Sequence, residues 1–189
     1  MVKYNMGVMY QSLASWGVEP VPSLKTAVDT LRETATLWTD AASAGSYAMA
    51  NSSLGGSYQA LASWGIEPGK NLKLAVDLLT DSARMLKEQK NKLGYTITIA
   101  NLGLSYQALG VRDIDSVANL GRSIDSLQEA ATLWKAQNNK AGFSMAKNNL
   151  GVSYQGLVQR NIEPEKNKAL ADESFKEARI SVPNAAVVP

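Results

Sequence analysis

The chain has 189 residues, with 19 Lys and Arg against 17 Asp and Glu, and contains neither Cys nor His. Without thiol or imidazole there is no disulfide, no Cys nucleophile, no His-based triad and no Cys/His zinc site. The rest of the composition, 45% apolar and 19% charged with a net charge of +2, is that of a globular protein and neither a disordered segment nor a basic nucleic-acid binder. At this length roughly 70% of the unfolded chain's surface is buried on folding, so a sizeable core is expected. The opening MVKYNMGVMY lacks the apolar core of a signal peptide, and no apolar run approaches the ~18 residues that span a bilayer. A soluble, cytoplasmic protein with no membrane, metal or cofactor association is expected.

The first segment, near 2–15, carries Gly7, Tyr10 and Gln11. The same three residues return 48 positions later as Gly55, Tyr58 and Gln59, again as Gly103, Tyr106 and Gln107, and a fourth time as Gly151, Tyr154 and Gln155. With the preceding Met6, Leu54, Leu102 and Leu150 and the later Leu13, Leu61, Leu109 and Leu157, each copy reads LGxxYQxL or a close variant. A loop such as SWGIEPGK follows, in which Val18, Ile66, Ile114 or Ile162 is expected to pin the chain to the core, and three copies place Pro20, Pro68 or Pro164 after a Glu. Ser23, Asn71, Asn119 and Asn167 then stand before a second apolar stripe, where a side-chain oxygen can cap the first turn of a helix. That stripe runs through Leu72, Ala75, Val76, Leu79, Ala83 and Leu86 in the second copy, and through Leu120, Ile124, Leu127, Ala131 and Trp134 in the third. Steps of three and four residues are those of an α-helix.

The spacing therefore predicts first helices near 2–15, 45–62, 93–109 and 141–159 and second helices near 23–39, 71–89, 119–136 and 167–180. The repeats run about 1–44, 45–92, 93–140 and 141–183, with a tail at 184–189, in one domain spanning 1–189. Internal repetition of this kind reads as hairpins stacked in a solenoid.

The Leu-Gly pair, the Tyr three residues after the Gly, and a small–large–small pattern in the second helix resemble the tetratricopeptide repeat. The fourth copy carries Leu150, Gly151, Tyr154, Ala171, Phe175, Ala178 and Pro183; the second carries Leu54, Gly55, Tyr58, Ala75, Leu79 and Ser82. The period of 48 exceeds the family's 34, the extra residues lying in the loops, and the form NNLGxxY at 148–154 is similar to the long subtype of archaeal and cyanobacterial arrays. The resemblance implies an all-α, right-handed α-solenoid of four hairpins, about eight helices, with a concave groove lined by the first helices. It also implies a protein-interaction scaffold that holds a peptide segment or partner protein in that groove. The alternatives are a sensory or regulatory ligand-binding module of a larger signalling protein and a self-assembling structural spacer.

On that template the groove carries Gln11, Gln59, Gln107 and Gln155 as a ladder of amides, with Asn5, Asn101, Asn148 and Asn149 beside them. Amides donate and accept, which suits an extended peptide backbone; the other reading is that they brace neighbouring hairpins. The family's cluster of Lys and Arg for a terminal carboxylate has no counterpart here. Trp16 and Trp64, at sites that hold Arg112 and Arg160 in later copies, are either exposed contact residues or, as favoured here, covers that pack the loop on the core. Trp38 and Trp134 belong to the packed stripe, and Lys87, Glu88, Lys90 and Lys92 form a solvated turn. No copy exceeds a net charge of +2, which speaks against nucleic acid, and carboxylates such as Glu67 and Asp77 repeat without forming an isolated acid–base constellation, so no enzyme is expected. Finally, Lys168, Asp172 and Arg179 replace the apolar residues of earlier copies, the pattern of a C-terminal cap. The apolar residues around Val8 leave an N-terminal edge expected to be covered by a second copy, as a homodimer, or by upstream repeats.

Overall fold

The computed structural model describes residues 1–38 and 43–181; Pro183 and the 184–189 tail lie outside them. Among the described residues there are eight α-helices: α1 (Val2–Ser15), α2 (Pro20–Leu37), α3 (Ala44–Ser63), α4 (Pro68–Glu88), α5 (Lys92–Gly110), α6 (Ser116–Ala136), α7 (Lys140–Gln159) and α8 (Pro164–Ser181). The described residues are 86% helical and contain no strand. The chain gathers into two compact units, Met1–Ser105 and Tyr106–Pro189, whose boundary falls inside α5.

Three of the hairpins, α1–α2, α3–α4 and α7–α8, close at a glycine. A Cβ on Gly7 would lie 2.6 Å from Leu31, one on Gly55 2.8 Å from Leu79, and one on Gly151 2.6 Å from Phe175. These partners are always 24 residues on, so the missing side chain lets the second helix seat a large apolar group on the backbone of the first. In α7 and α8 the contacts run antiparallel: Ser144 donates to the Ala178 carbonyl at 2.8 Å, Lys147 pairs with Glu177, and Gly151 meets Phe175. The predicted stripe is the buried one. Leu72, Ala75, Leu79, Ala83 and Leu86 of α4 and Leu120, Ile124, Leu127, Ala131 and Trp134 of α6 are buried, and only Val76 is partly open.

The second helices start earlier than predicted. Glu19, Glu67 and Glu163 adopt the left-handed conformation with φ of 37–39°, and the following proline takes the first helical position; Asp115, at 41°, does the same before Ser116. A proline with its fixed φ and missing N–H is suited to that first turn. Ser23, Asn71, Asn119 and Asn167 consequently lie inside the helices and are not N-caps. Their side chains donate back to the carbonyls of Val18, Ile66, Ile114 and Ile162 at 2.9, 2.7, 2.8 and 2.7 Å. The loop is thus tied down through its backbone by a buried donor.

The first helices end in a repeated motif. Gly17 donates to the Ala14 carbonyl and Val18 to that of Leu13; Gly65 to Ala62 and Ile66 to Leu61; Asn161 to Val158 and Ile162 to Leu157. With φ of 79° at Gly17 and 77° at Gly65, this is the Schellman pattern, which satisfies the last carbonyls of a helix. The recurrent Val or Ile is its following residue: Ile66 packs on the cluster formed by Leu24, Val28, Leu31, Leu54 and Leu61, whereas Val18, expected to pin the first loop, is 49% exposed, and that loop is held by the Ser23 hydrogen bond to the Val18 carbonyl.

The outer faces differ between copies. Lys168, Asp172 and Arg179 of α8 are exposed, where Leu24, Val28 and Ala35 of α2 and Leu120, Ile124 and Ala131 of α6 are buried. On α1, Val2, Met6 and Met9 are exposed, although their counterparts Ala50, Leu54 and Ser57 on α3 are buried.

Gly55→Ala tests the closing contact. Alanine adds about 1 kcal/mol of helix propensity, but a methyl 2.8 Å from the fully buried Leu79 overpacks the core at about 1–3 kcal/mol. Net destabilisation is expected in urea unfolding, and the penalty should vanish in a Leu79→Ala background, where the double-mutant cycle reads a favourable coupling.

Candidate functional site

The first helices of unit 1 lie side by side and parallel. Tyr4 Oη is 3.2 Å from Ser53 Oγ, and Gln11 Nε2 donates to the Ser53 carbonyl at 2.7 Å and to Ser57 Oγ at 2.8 Å, so rising numbers on α1 meet rising numbers on α3. On the other flank of α3, Ser52 Oγ and Thr98 Oγ1 are 2.7 Å apart and join it to α5. Between these seams the backbone of α3 is bare at Gly56. The point that a Cβ there would occupy is 3.7 Å from Gln11 Nε2 and 3.9 Å from Asn101 Nδ2. Gly56 takes the position that Val8, Leu104 and Val152 hold in the other copies. Unit 1 thus has a notch with polar amides on both sides, where the other copies carry an apolar side chain.

The expected amides divide into two groups. Gln11 and Gln107 brace consecutive first helices: Gln107 Nε2 donates to the Asn149 carbonyl at 2.7 Å and to Ser153 Oγ at 2.8 Å, repeating the Gln11 pattern 96 residues on. Asn149 Nδ2 donates to the Met145 carbonyl of its own helix at 2.8 Å. The side chains of Asn5, Gln59, Asn101, Asn148 and Gln155 have no protein hydrogen-bond partner among the described residues. Gln59 and Asn101 are half-buried in unit 1, whereas Asn5, Asn148 and Gln155 are exposed. Unit 1 therefore brings Gln11, Gln59 and Asn101 onto adjoining first helices, and unit 2 holds Gln107, Asn148, Asn149 and Gln155.

Gly56 is absent from the residues that the sequence pattern singles out. Its signal is a break in the apolar series Val8, Leu104, Val152, masked by the periodic Gly55 beside it. The tryptophans also differ from expectation. Trp16 is 75% exposed and Trp64 54%, so the indoles do not cover the loops. The apolar contact of the loop is made by the residue two positions later, Ile66 in the second copy, which leaves the tryptophan outside. Trp38 lies 6.0 Å from Tyr4 between ring centroids, and Trp134 is buried against Gly142.

Among the described residues no helix is long and apolar enough to cross a membrane, and no group of three or more Asp or Glu gathers as a metal site. No protein-family model matches the chain, and no curated protein matches it.

The division of the amides is open to measurement. Gln11→Ala removes two hydrogen bonds between helices and is expected to cost about 1–2 kcal/mol, whereas Gln59→Ala should stay within about 0.5 kcal/mol of the parent. Urea unfolding of both variants under the same conditions checks the contrast; equal losses would show that both amides carry the same structural role.

Proposed function

We propose that the chain is a protein-interaction scaffold of the long tetratricopeptide type and that the first-helix face of unit 1 holds an extended segment of a partner protein at Gly56. The observation that carries this reading is the notch itself. Two amide nitrogens, on Gln11 and Asn101, stand within 4 Å of a position where no side chain exists, so a foreign backbone can approach α3 without displacing anything.

The chemistry matches a main chain better than a charged group. Asn101 offers N–H donors to a carbonyl; Gln11, whose two N–H bonds are taken by Ser53 and Ser57, offers its amide oxygen as an acceptor, and the free Gln59 amide offers both a donor and an acceptor. No Lys or Arg adjoins these three amides on their helices at positions 4–15, 52–63 or 97–105, so a free carboxylate would find no cationic partner there. An extended segment satisfied by amides, with alternate side chains lying on Tyr4, Val8 and Leu104, uses main-chain hydrogen bonding for affinity and shape for selectivity. Unit 2 by itself exposes amides of the same kind, Asn148 and Gln155.

Selection of peptides against the whole chain, followed by calorimetry on the variants, tests the reading. Gly56→Val restores the residue found at positions 8 and 152 and places its Cβ at ordinary contact distance, so folding should be unaffected while peptide affinity falls at least about tenfold, the equivalent of 1.4 kcal/mol. Asn101→Ala should weaken binding to a smaller extent. Peptides that bind Gly56→Val as tightly as the parent would overturn the proposal.

A further inference from the structure

Four asparagines are buried among the described residues: Asn51, Asn71, Asn119 and Asn167, at 4–6% exposure. The last three each donate to a loop carbonyl. Asn51 has no protein hydrogen bond among the described residues. A buried amide left unpaired bears the desolvation penalty of its donor and its acceptor. The other copies show that folding does not demand an amide at this place, which is held by Lys3, Ile99 and Lys147. Lys3 pairs with Glu33 and Lys147 with Glu177, and Ile99 is a buried apolar residue. In the second copy Asp81 stands where those glutamates stand, exposed and without an ion pair among the described residues. The shorter asparagine thus replaces the ion pair that crosses the hairpin with an unengaged amide.

Asn51 lines a cleft of about 540 Å³ that α2, α3 and α4 form within unit 1, a size in the range of small-molecule sites. Its apolar lining comes from Leu54, Leu74 and Leu78, and Tyr47 and Tyr58 contribute aromatic rings. The charges balance. Arg32 and Asp77, both exposed, bring one of each sign, and the Arg32 guanidinium already donates to Tyr58 Oη at 2.5 Å and lies 3.6 Å from Asp29. The lining as a whole therefore favours neither an anion nor a cation. The corresponding cleft of unit 2, 96 positions on, is lined by Lys147 and Glu177, which engage each other.

We infer that the unit 1 cleft binds a neutral, planar heterocycle of the nucleobase type, whose edge carries an N–H donor beside a nitrogen or oxygen acceptor and seats on the Asn51 amide. A carboxamide presents its C=O and its N–H groups side by side in one plane, so a ligand edge with a donor next to an acceptor satisfies both at once. Asparagine pairs with the edge of adenine in this way. A trans peptide unit points its N–H and C=O in opposite directions and cannot close such a two-bond ring, which distinguishes the cleft from a main-chain site. The leucines and tyrosines suit the flat faces of the ring, since stacking on aromatic side chains is available to every base. None of these residues belongs to the Gly56 notch.

The test uses the full chain. Adenosine and inosine are the probes, because each has a donor beside an acceptor on its six-membered ring; purine riboside, which lacks the exocyclic donor, is the control. Calorimetry is expected to show one saturable site for both probes and binding of purine riboside at least about tenfold weaker. In ¹⁵N-labelled protein the side-chain amide signals of Asn51 should move with adenosine. Asn51→Ile and Asn51→Lys, which install the residues of positions 99 and 3, should each weaken adenosine binding about tenfold or more while unfolding at no lower urea concentration than the parent, because each removes the unpaired amide. Gly56→Val should leave adenosine binding unchanged, so that failure of this cleft and failure of the notch are told apart. No saturable binding up to the solubility limit of adenosine, equal affinity for purine riboside, or undiminished binding by Asn51→Ile would each overturn the assignment. So would acetamide binding as tightly as adenosine, which would assign the amide to an Asn or Gln side chain of a partner. The comparison of nucleosides uses the parent protein alone and decides the matter even if a variant fails to fold.

Discussion

The stacking depends on the distance between paired helices, and that distance depends on a missing methyl group. At Gly7, Gly55 and Gly151 a Cβ would lie within 3 Å of a large apolar side chain of the second helix, so glycine alone permits the seated arrangement. Leu31 and Leu79 are fully buried as a result. The contact also fixes register. With the glycine opposed to a residue 24 positions later, Lys3 meets Glu33 and Lys147 meets Glu177, each 30 positions apart. These ion pairs are partly exposed and are worth at most about 1 kcal/mol each. They follow from the packing and do not cause it.

Once the hairpin is closed, the Tyr-Gln pair of the motif points in two directions along the stack. Tyr58 Oη accepts from Arg32 Nη2 at 2.5 Å and Tyr154 Oη from Gln128 Nε2 at 2.8 Å, so the tyrosine reaches back to the second helix of the preceding hairpin. Gln11 and Gln107 reach forward to the next first helix. The copies of LGxxYQ thus share out three contacts: closure within a hairpin at Gly7, Gly55 and Gly151, a bond backward from Tyr58 and Tyr154, and a bond forward from Gln11 and Gln107. Each lies inside a single unit, which is how a repeat protein builds stability from nearest-neighbour terms.

How much of this is legible in the sequence follows from which signals are periodic in residue type. Hairpin number, helix type and the buried stripe rest on apolar spacing, and Leu72 to Leu86 in α4 are buried where the 3.6-residue period places them. The second helices start three residues before the expected positions because their starts depend on Glu19, Glu67, Asp115 and Glu163 adopting a left-handed backbone, which no acidic side chain announces. Asn71 and its counterparts resemble caps in the sequence because asparagine carries both an acceptor and a donor. The structure uses the donor, and the sequence holds no sign of which end of the amide is engaged. The same ambiguity hides the division between Gln11, which braces, and Gln59, which does not. For Trp64 the general preference of indoles for cover points the wrong way, because the nearby Ile66 already occupies the apolar position that the helix-ending motif provides; Trp16 is exposed together with Val18.

Most positions that repeat faithfully have their interactions accounted for within a unit, Gln59 and Gln155 being exceptions, and the other candidate groups arise where repetition fails. Gly56 interrupts an apolar series and opens a notch between two amides; Trp16 and Trp64 stand where Arg112 and Arg160 cap carbonyls. In both cases the alternative residue is present elsewhere in the same chain at the same place in a hairpin, so folding does not demand the departure. A residue that gives up a hydrogen bond, as tryptophan does at a helix C-terminus, or leaves backbone open, as glycine does on a helix face at a cost of about 1 kcal/mol relative to alanine, carries a local disadvantage. Both departures fall in the Met1–Ser105 unit. Their coincidence in one half of a regular array is the asymmetry on which the proposed role of that unit rests, while in the other half Arg112 and Arg160 cap carbonyls and Lys168, Asp172 and Arg179 face solvent.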